Sequence, residues 1–380
     1  MPRKRTAAPA VARPPVLRRI AISTGGGDAP GLNAVIRAAT LSALQHGWEV
    51  VGIRDGYNGL MNPGNYPWGG LVHLNRETVK GITHLGGTII GSTNKGNPFS
   101  LPVKQADGTV VEEDHSDRLV AAFHREGIDA LVSVGGDGSL AIAHRLAGKG
   151  IRVVGVPKTI DNDLDRTVIT FGFDTAVSFA TDCVDRLHST AEAHGRVMVV
   201  EVMGRYAGWI ALNTGIAGSA DAVLIPEIPY DLRKVAEKVN ERFHGGGGFA
   251  IVVVAEGAKP VDGAATVRSR EAGRADRLGG VGEKVAAALQ EMTGHETRCV
   301  VLGHLLRGGR PTSFDRLLSL RFGAAAVRAL AEGHQDVMVA LNPPRVDLVP
   351  LEEVSGRMRA VPLDSDSVMT ARELGMCFGD

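Results

Sequence analysis

Cysteine is scarce in this sequence: Cys183, Cys299 and Cys377 are the only three, and they lie far apart in the chain. An odd number of scattered cysteines argues against a disulfide framework and against a cysteine-based zinc site. Such usage is typical of proteins in a reducing compartment, so we expect a cytoplasmic location.

Long apolar runs and an excess of either charge are also missing. No apolar run approaches the roughly 18 residues that a membrane-spanning helix needs. Lys and Arg together number 42, and so do Asp and Glu. The overall charge therefore favours neither nucleic acid nor a membrane as partner, and an anionic ligand must be bound by local arginines. Residues 1–17 are basic and proline-rich without an apolar core, which predicts a disordered tail rather than a signal peptide.

Glycine, by contrast, is abundant, with 49 among the 380 residues, and it clusters between apolar runs. Residues 18–23 predict a strand, residues 32–45 a helix and residues 48–53 a second strand. Such a βαβ unit implies a parallel sheet. Because strands and helices alternate over about 300 residues, we predict an α/β protein, and the length favours two domains.

Two further apolar runs, residues 131–134 and 153–156, are predicted to be buried parallel strands. Each is followed by a loop of glycine and acidic or hydroxyl side chains. In open α/β sheets, ligands bind beyond the carboxyl ends of the strands. Two acidic loops at such a position suit a magnesium-bound phosphate next to a general base.

The first of these loops consists of Gly135, Gly136, Asp137, Gly138 and Ser139. Glycines let the backbone approach a polyphosphate, the N-terminus of the following helix favours anions, and the Asp137 carboxylate can hold Mg²⁺. The alternative is an ordinary turn in which Ser139 caps the helix. The same five residues resemble those of the lipid and NAD kinases, so they indicate a nucleotide rather than a particular acceptor.

The second loop contains Thr159, Asp161, Asn162 and Asp163. Asp161 is a candidate general base, Asn162 can position a neighbour, and Asp163 adds a second carboxylate. Phosphoryl transfer needs mainly positioning, charge neutralisation and an acceptor for the hydroxyl proton. A solvated turn without a ligand is the alternative.

A third glycine loop, residues 25–28, is a further candidate phosphate cradle, although the chain has no P-loop spacing. Basic side chains near glycine turns form the last group: Arg196, Arg205, Arg298, His304 and Arg307. Arginine presents a planar fork that matches a phosphate in a bidentate manner. Each one alone is more often a surface charge, and His304 could equally be a core histidine. Several of them directly after apolar strands favour a phosphate site.

Seven segments read, in order, GGDAPGLNAVIR, GGDGS, PKTIDND, GFDTA, EVMGRYAG, PE and GHLLRGGRPTSFDR. Over most of residues 20–316 the sequence resembles the 6-phosphofructokinases. The resemblance implies two Rossmann-like, three-layer α/β/α domains with mainly parallel sheets and the active site in the cleft between them. A nucleotide domain would comprise residues 18–172 plus about 306–355, and a sugar-phosphate domain residues 173–305 plus about 356–380.

The resemblance also implies roles for individual residues. The nucleotide would be bound by Gly27, Tyr57, Lys95, Gly136, Asp137, Gly138 and Ser139, and Asp137 would hold Mg²⁺. Asp161 would be the base for the sugar 1-hydroxyl, with Thr159, Asp163 and Arg205 as further catalytic residues. Fructose 6-phosphate would be bound by these four residues and by Met203, Gly204, Glu256, His304 and Arg307. Arg196 and Arg298 would reach the site of a neighbouring subunit, which implies a homo-oligomer, a tetramer or at least a dimer.

The resemblance leaves the phosphoryl donor open between ATP and pyrophosphate. Gly138 matches the ATP-dependent members, whereas Lys158 matches the pyrophosphate-dependent members. An Asp side chain at position 138 would crowd and repel the α-phosphate while glycine leaves room, so we favour ATP. The arginine that ATP enzymes commonly carry after a Gly-Ser pair, here Gly91 and Ser92, is absent. A positive charge stands one position later, at Lys95, as a candidate transition-state stabiliser.

We therefore expect a glycolytic kinase that forms fructose 1,6-bisphosphate and ADP from Mg-ATP and fructose 6-phosphate. A pyrophosphate-dependent enzyme is the near alternative. A kinase for another acceptor, such as NAD or a lipid, would share only the GGDGS loop. A catalytically silent regulatory subunit would keep the fold, but it has no need of a base and a metal ligand together, and Asp137, Asp161 and Asp163 are intact.

Overall fold

The computed structural model of the chain describes residues 16–264, 266–269 and 277–380. The strands are β1 (Arg19–Thr24), β2 (Glu49–Ile53), β3 (Leu71–Leu74), β4 (Leu101–Lys104), β5 (Val110–Glu113), β6 (Ala130–Gly135), β7 (Arg152–Pro157), β8 (Val197–Val202), β9 (Ala222–Leu224), β10 (Ala250–Ala255), β11 (Val267–Ser269), β12 (Arg277–Leu278), β13 (Thr297–Val301), β14 (Val337–Asn342) and β15 (Arg345–Pro350). The helices are α1 (Leu32–Gln45), α2 (Asn58–Met61), α3 (Ser116–Arg125), α4 (Asp137–Ala147), α5 (Phe173–His194), α6 (Trp209–Ala217), α7 (Leu232–His244), α8 (Val281–Thr293), α9 (Ser313–Ala331) and α10 (Asp366–Glu373). Short 3₁₀ helices lie at Pro63–Asn65, Gly303–Arg307 and Leu351–Glu353.

The larger sheet has seven strands in the order β15-β14-β7-β6-β1-β2-β3. The five central strands run parallel, and β3 and β15 close the two edges in antiparallel orientation. The register pairs Thr24 with Val134, and Gly135 with Pro157. The loops that follow β1, β6 and β7 therefore leave the sheet side by side at one edge.

Helices cover both faces of this sheet. α1 buries Leu32, Val35, Ile36 and Ala39, whose helical spacing forms one apolar stripe, and it packs together with α9 against one face. α3 and α4 pack against the other face. The predicted α/β class with a mainly parallel sheet is confirmed, and α1 has the predicted bounds.

The smaller sheet contains β13, β8, β10 and β9, in that order and all parallel. α5, α6 and α10 pack on one face, and α7 and α8 on the other. Every residue of β8 and β10 is buried, which explains why both strands are almost uninterrupted apolar runs. The segments that follow β8, β10 and β13 meet at one edge of this sheet.

The predicted N-terminal tail lies outside the described residues up to position 15. For Leu17, the last residue of that tail, the prediction of disorder is wrong, because this residue is only 5% exposed and packs in the same core cluster as Ile20. Elsewhere the predicted strand and helix ends differ from the structure by one or two residues at several positions. Within the described part of the chain, no helix is both long enough and apolar enough to cross a membrane.

Candidate active site

The turn that carries Asp161 follows β7 and is held by its own polar side chains. Asn162 adopts a positive φ of 52°, a conformation that asparagine tolerates better than most residues. Its side-chain oxygen accepts a hydrogen bond from the backbone N–H of Thr170 at 3.0 Å. The Thr159 hydroxyl accepts one from the backbone N–H of Asp161 at 3.1 Å. These bonds hold the backbone of the turn that carries the two carboxylates.

Asp161 combines burial with an unused acceptor. Its Oδ1 atom is buried and has no hydrogen-bond partner among the described residues. Burial and, after it, the charge of the nearby Asp163 raise the pKa of Asp161 to about 7, although Arg307 and Arg205 oppose the rise. A carboxyl group of this kind changes protonation state near neutral pH.

Asp163 lies beside Asp161, toward the loop after β6. Burial raises the pKa of Asp163 as well, a hydrogen bond with the Thr159 hydroxyl opposes the rise, and the charge of Asp137 adds to it. The predicted base and the predicted metal ligand therefore belong to one acidic group that spans the ends of β6 and β7.

The loop after β6 begins α4, with Gly136 as N-cap and Asp137 as the first helical residue. One oxygen of Asp137 accepts a hydrogen bond from the backbone N–H of Gly356 at 2.9 Å. A side chain added at Gly138 would meet no protein atom within 4 Å. The space in front of this helix N-terminus is open, as an anionic ligand requires. Ser139 instead packs inward, where its Oγ would lie 2.6 Å from a Cβ added at Gly25.

The residues present fit a Mg²⁺ ion that arrives with a nucleotide. Within the described ranges, no cluster of three or more His, Cys, Asp or Glu side chains could form a metal cage. Mg²⁺ typically keeps several waters and uses one or two carboxylates together with the phosphates of a substrate. Asp137, whose second oxygen accepts no hydrogen bond from the described residues, supplies such a ligand.

The glycine loop after β1 contacts Lys158, at the start of the Asp161 turn, and the 3₁₀ helix after β13. The Lys158 ammonium donates a hydrogen bond to the carbonyl oxygen of Gly27. An Arg307 guanidinium nitrogen donates one to the carbonyl oxygen of Asp28 at 3.1 Å. Lys158 itself is only 3% exposed, and burial, followed by the charge of Arg307, lowers its pKa to about 8.

The predicted sugar-phosphate residues gather at the carboxyl end of the smaller sheet. Met203, Gly204 and Arg205 follow β8, Glu256 follows β10, and His304 and Arg307 lie in the 3₁₀ helix after β13. Burial raises the pKa of Glu256, and the charges of Arg205, Arg307 and His304 oppose the rise. Because Arg205 and Arg307 also act on Asp161, these side chains and the acidic turn face one common space.

Arg196 and Arg298 are not brought into this group. Arg196 precedes β8 and Arg298 lies near the start of β13, so both are at the amino ends of these strands. Arg205 lies beyond the opposite, carboxyl end of β8. Arg196 and Arg298 both pair with the Glu296 carboxylate, at 2.9 Å and 2.5 Å. The six residues of β8 place its two ends about 16 Å apart.

Two residues that are predicted to bind the nucleotide, Tyr57 and Lys95, differ in exposure. Tyr57 is only 8% exposed, and its hydroxyl lies 3.5 Å from the Ser133 hydroxyl, where burial raises the pKa of Tyr57 to about 12. Lys95 is exposed in a loop whose Thr93 carbonyl accepts a hydrogen bond from the backbone N–H of Gly26 at 2.9 Å. The loop thus contacts the glycine loop, although the Lys95 side chain points into solvent.

Sequence reasoning missed the segment after β15. Besides Gly356, Arg359 contacts the acidic turn through its backbone and its guanidinium. Nothing in the local sequence marks these residues, because their partners lie about 200 positions away in the chain.

A family model described as phosphofructokinase matches residues 19–330. The ATP-dependent 6-phosphofructokinase 2 of Clostridium perfringens is 49% identical over 368 residues, covering 96% of this chain and 99% of that protein. The ATP-dependent 6-phosphofructokinase of Chloroflexus aggregans is 50% identical over 363 residues, covering 96% and 98%. The pyrophosphate–fructose 6-phosphate 1-phosphotransferase of Amycolatopsis methanolica is 47% identical over 348 residues, covering 90% and 96%.

Solved structures have the same fold. The Pichia pastoris phosphofructokinase in the T-state matches 92% of this chain with a TM-score of 0.74 and 31% identity, and the chain spans 36% of that longer protein. The pyrophosphate-dependent phosphofructokinase of Marinobacter aquaeolei matches 92% of this chain and 88% of its own, with a TM-score of 0.76. At 23% identity, the second likeness concerns the fold alone.

Proposed function

The chain belongs to the phosphofructokinase family, and we propose that Asp161 is the general base with which it phosphorylates fructose 6-phosphate. The reaction is the transfer of the γ-phosphoryl group of ATP to the sugar 1-hydroxyl, giving fructose 1,6-bisphosphate and ADP. ATP-dependent relatives at 49–50% identity over nearly the whole chain support this donor.

The observation that carries the proposal is the buried, unpaired Oδ1 of Asp161, together with a pKa of about 7. A base whose pKa lies near the working pH is ionised in a large fraction of molecules and still basic enough to accept a proton. Asp161 accepts the proton of the 1-hydroxyl as the phosphoryl group is transferred. Asp163 and Thr159, in the same turn, orient and polarise the Asp161 carboxylate.

The nucleotide lies against the larger sheet. The backbone of the glycine loop and of Gly136, Gly138 and Ser139 lines the open N-terminus of α4, where amide dipoles favour phosphate. Mg²⁺ held by Asp137 and the phosphates would supply neutralisation of the charge that develops during transfer. We assign this role to residues 18–172 plus about 306–355, which contain all the strands of that sheet.

The sugar phosphate lies against the smaller sheet, in the part formed by residues 173–305 plus about 356–380. Arg205 and Arg307 neutralise the phosphate, and His304, Met203, Gly204 and Glu256 contact the sugar phosphate. Both halves of the reaction then meet in the cleft at Asp161.

Arg196 and Arg298 belong to the site of a second subunit in this proposal. Their position near the amino ends of β8 and β13, whereas Arg205 follows the carboxyl end of β8, leaves them outside the site of their own chain. Their pairing with a single carboxylate, Glu296, leaves two positive charges for one negative charge at the surface. This excess supports a homo-oligomer, a tetramer in the simplest reading, and the three free cysteines support the cytoplasm as its location.

The test is formation of fructose 1,6-bisphosphate by purified protein with Mg²⁺ and fructose 6-phosphate, comparing ATP with pyrophosphate. Turnover with ATP alone is expected. Turnover with neither donor would overturn the proposal and favour a silent regulatory subunit or another acceptor.

One observation favours pyrophosphate as a second candidate donor. Lys158 places a positive charge directly behind the Gly26 and Gly27 backbone, where a Cβ on Gly26 would lie 3.4 Å from its Nζ atom. A compact donor such as pyrophosphate gains from a charge so close to the glycine loop. Turnover with pyrophosphate in the same assay would establish this alternative.

A further inference from the structure

A short segment near the C-terminus, residues 356–361, runs from the larger sheet to the smaller one. We call it the C-terminal strap. Its residue Met358 forms an antiparallel bridge with Leu164, directly after the acidic turn. The strap therefore lies alongside the catalytic turn, although it carries none of the predicted site residues.

Arg359 of the strap holds the acidic turn through backbone oxygens. Its guanidinium donates to the carbonyl oxygen of Asn162 at 3.0 Å and to those of Thr167 and Val168 at 2.9 and 2.8 Å. Its own backbone N–H donates to the carbonyl oxygen of Asp163 at 2.8 Å. One residue thus binds the carbonyl oxygen of the left-handed residue of the turn, Asn162, and that of the residue that follows it.

Arg359 also connects this turn to the smaller sheet. Its guanidinium lies over the ring of Trp209, 4.8 Å from the centroid, and the Trp209 indole N–H donates to the Arg359 carbonyl at 3.0 Å. Trp209 begins α6. Two residues further along the strap, the Val361 N–H donates to the Glu227 carboxylate at 2.8 Å, and that carboxylate also accepts from Gly208, which precedes α6.

The same strap supports Asp137. The backbone N–H of Gly356 donates to one Asp137 oxygen at 2.9 Å, so the strap contacts the loop after β6 and the loop after β7 within a few residues. The two loops that carry the carboxylates follow β6 and β7, and the strap is not a strand of that sheet. The strap therefore supports both loops from outside the sheet that carries them.

We propose that Arg359 is a positioning residue that holds the Asp161 turn in its reactive orientation and ties it to α6. The inference rests on the proposed role of Asp161. The planar fork of arginine serves carbonyl groups in two directions at once, which the point charge of lysine cannot do. A displacement of about 1 Å at a catalytic group can cost about 10²-fold in rate.

The experiment compares the intact wild-type enzyme with Arg359→Met, Arg359→Lys and a control, Arg321→Met. The control arginine also donates to a backbone carbonyl, that of Pro344 at 2.7 Å, but in the β14–β15 hairpin. We expect Arg359→Met to lower kcat about 10²-fold while the KM for fructose 6-phosphate changes less than about threefold. Arg359→Lys should recover only part of kcat, and Arg321→Met should match the wild type.

Chemical rescue separates positioning from a general loss of packing. Added methylguanidinium should restore part of kcat to Arg359→Ala, whereas methylammonium should not, because only the former reproduces the fork. An Arg359→Met enzyme with kcat within twofold of the wild type would overturn the inference, as would a rise in KM at unchanged kcat. Failure of the Met, Lys and Ala variants of Arg359 to fold would assign this residue to stability and overturn the inference too. A wild type without kinase activity would instead refute the proposed function.

Discussion

Lys158 and Gly27 join two loops that the sequence separates by more than 100 residues, through a hydrogen bond from the lysine ammonium to the glycine carbonyl. The bond ties the start of the Asp161 turn to the glycine loop. Because Lys158 is buried beside Asp161, Asp163 and Arg307, its charge depends on all of them.

This bond predicts an alkaline limit to activity. Burial lowers the pKa of Lys158 to about 8, so the ammonium is charged below that pH and neutral above it. Neutral lysine no longer offsets the carboxylates or the donor phosphates, so kcat/KM for ATP should fall as pH rises above about 8. In Lys158→Met the plateau value of kcat/KM for ATP below pH 8 should be lower than in the wild type, and the fall above about pH 8 should be absent.

Lys80→Met provides the matched control, because Lys80 is a surface lysine with 77% of its side chain exposed. It should keep both the plateau and the alkaline fall. An alkaline fall that persists in Lys158→Met would show that another group causes it.

Asp161 predicts the acid limit. Its carboxyl group is protonated below about pH 7 and cannot then accept the proton of the sugar hydroxyl. We expect kcat/KM for fructose 6-phosphate to rise with pH up to about 7 and to level off above it. Asp161→Asn keeps the size of the side chain but removes the base, so kcat should fall about 10²–10⁴-fold and the acid limb should disappear.

Sugar binding should survive that substitution, because the phosphate is held by other residues. Equilibrium binding of fructose 6-phosphate to Asp161→Asn, measured by calorimetry, should stay within about threefold of the wild type. A variant that retained most of its kcat would remove Asp161 from the role of base.

Gly138 predicts how the donor is chosen. A side chain there would meet no protein atom within 4 Å, and an acidic residue in the first turn of a helix is favoured by its dipole. Gly138→Asp should therefore fold and melt like Gly138→Ala. Its carboxylate would face the α-phosphate, and a repulsion of at least about 1.4 kcal/mol would lower kcat/KM for ATP tenfold or more.

Gly138→Ala separates charge from volume in this test. It adds a methyl group without charge, so the ATP activity should remain much closer to that of the wild type. Equal losses in the two variants would mean that space, and not repulsion, limits the donor at position 138.

The sequence predicts the central part of the molecule well because its signals are local. The bounds of α1 match the prediction, since its apolar residues recur at helical spacing and the pattern ends at polar residues. α9 gave no such signal. It buries residues on most of its circumference, from Leu318 to Leu330, between α1 and the sheet, so it lacks a clear polar face.

The candidate site likewise contains residues that a local sequence signal marks and contacts that leave no such signal. Asp161 stands out in the sequence because its turn carries three polar residues in a row, whereas no local signal marks the pairing of Arg196 and Arg298 with Glu296. Nor does any mark the role of Arg359, which acts on backbone carbonyls. A backbone oxygen has no identity in the sequence, so such contacts leave no motif.

Asp315 predicts a pH dependence of stability that is separate from catalysis. It is fully buried at the start of α9, where one oxygen accepts hydrogen bonds from the backbone N–H and the hydroxyl of Thr175 in α5, at 2.8 and 2.6 Å. Its other oxygen has no partner among the described residues. Burial raises the pKa of Asp315 from 3.8 to about 6. Its contribution to stability is therefore complete below about pH 4 and is lost as pH rises through about 6.

Asp315→Asn stays neutral and keeps an acceptor for Thr175. At one fixed protein concentration, the free energy of unfolding of the variant relative to the wild type should increase by up to about 3 kcal/mol between pH 4 and pH 7, measured by urea denaturation. Asp364→Asn, at an exposed position, should give a constant difference over the same range. If the Asp315→Asn difference were equally flat, the buried carboxyl group would not be the one that titrates, and the link between α5 and α9 would owe its strength to the neighbouring Asp174–Thr312 bond of 2.5 Å.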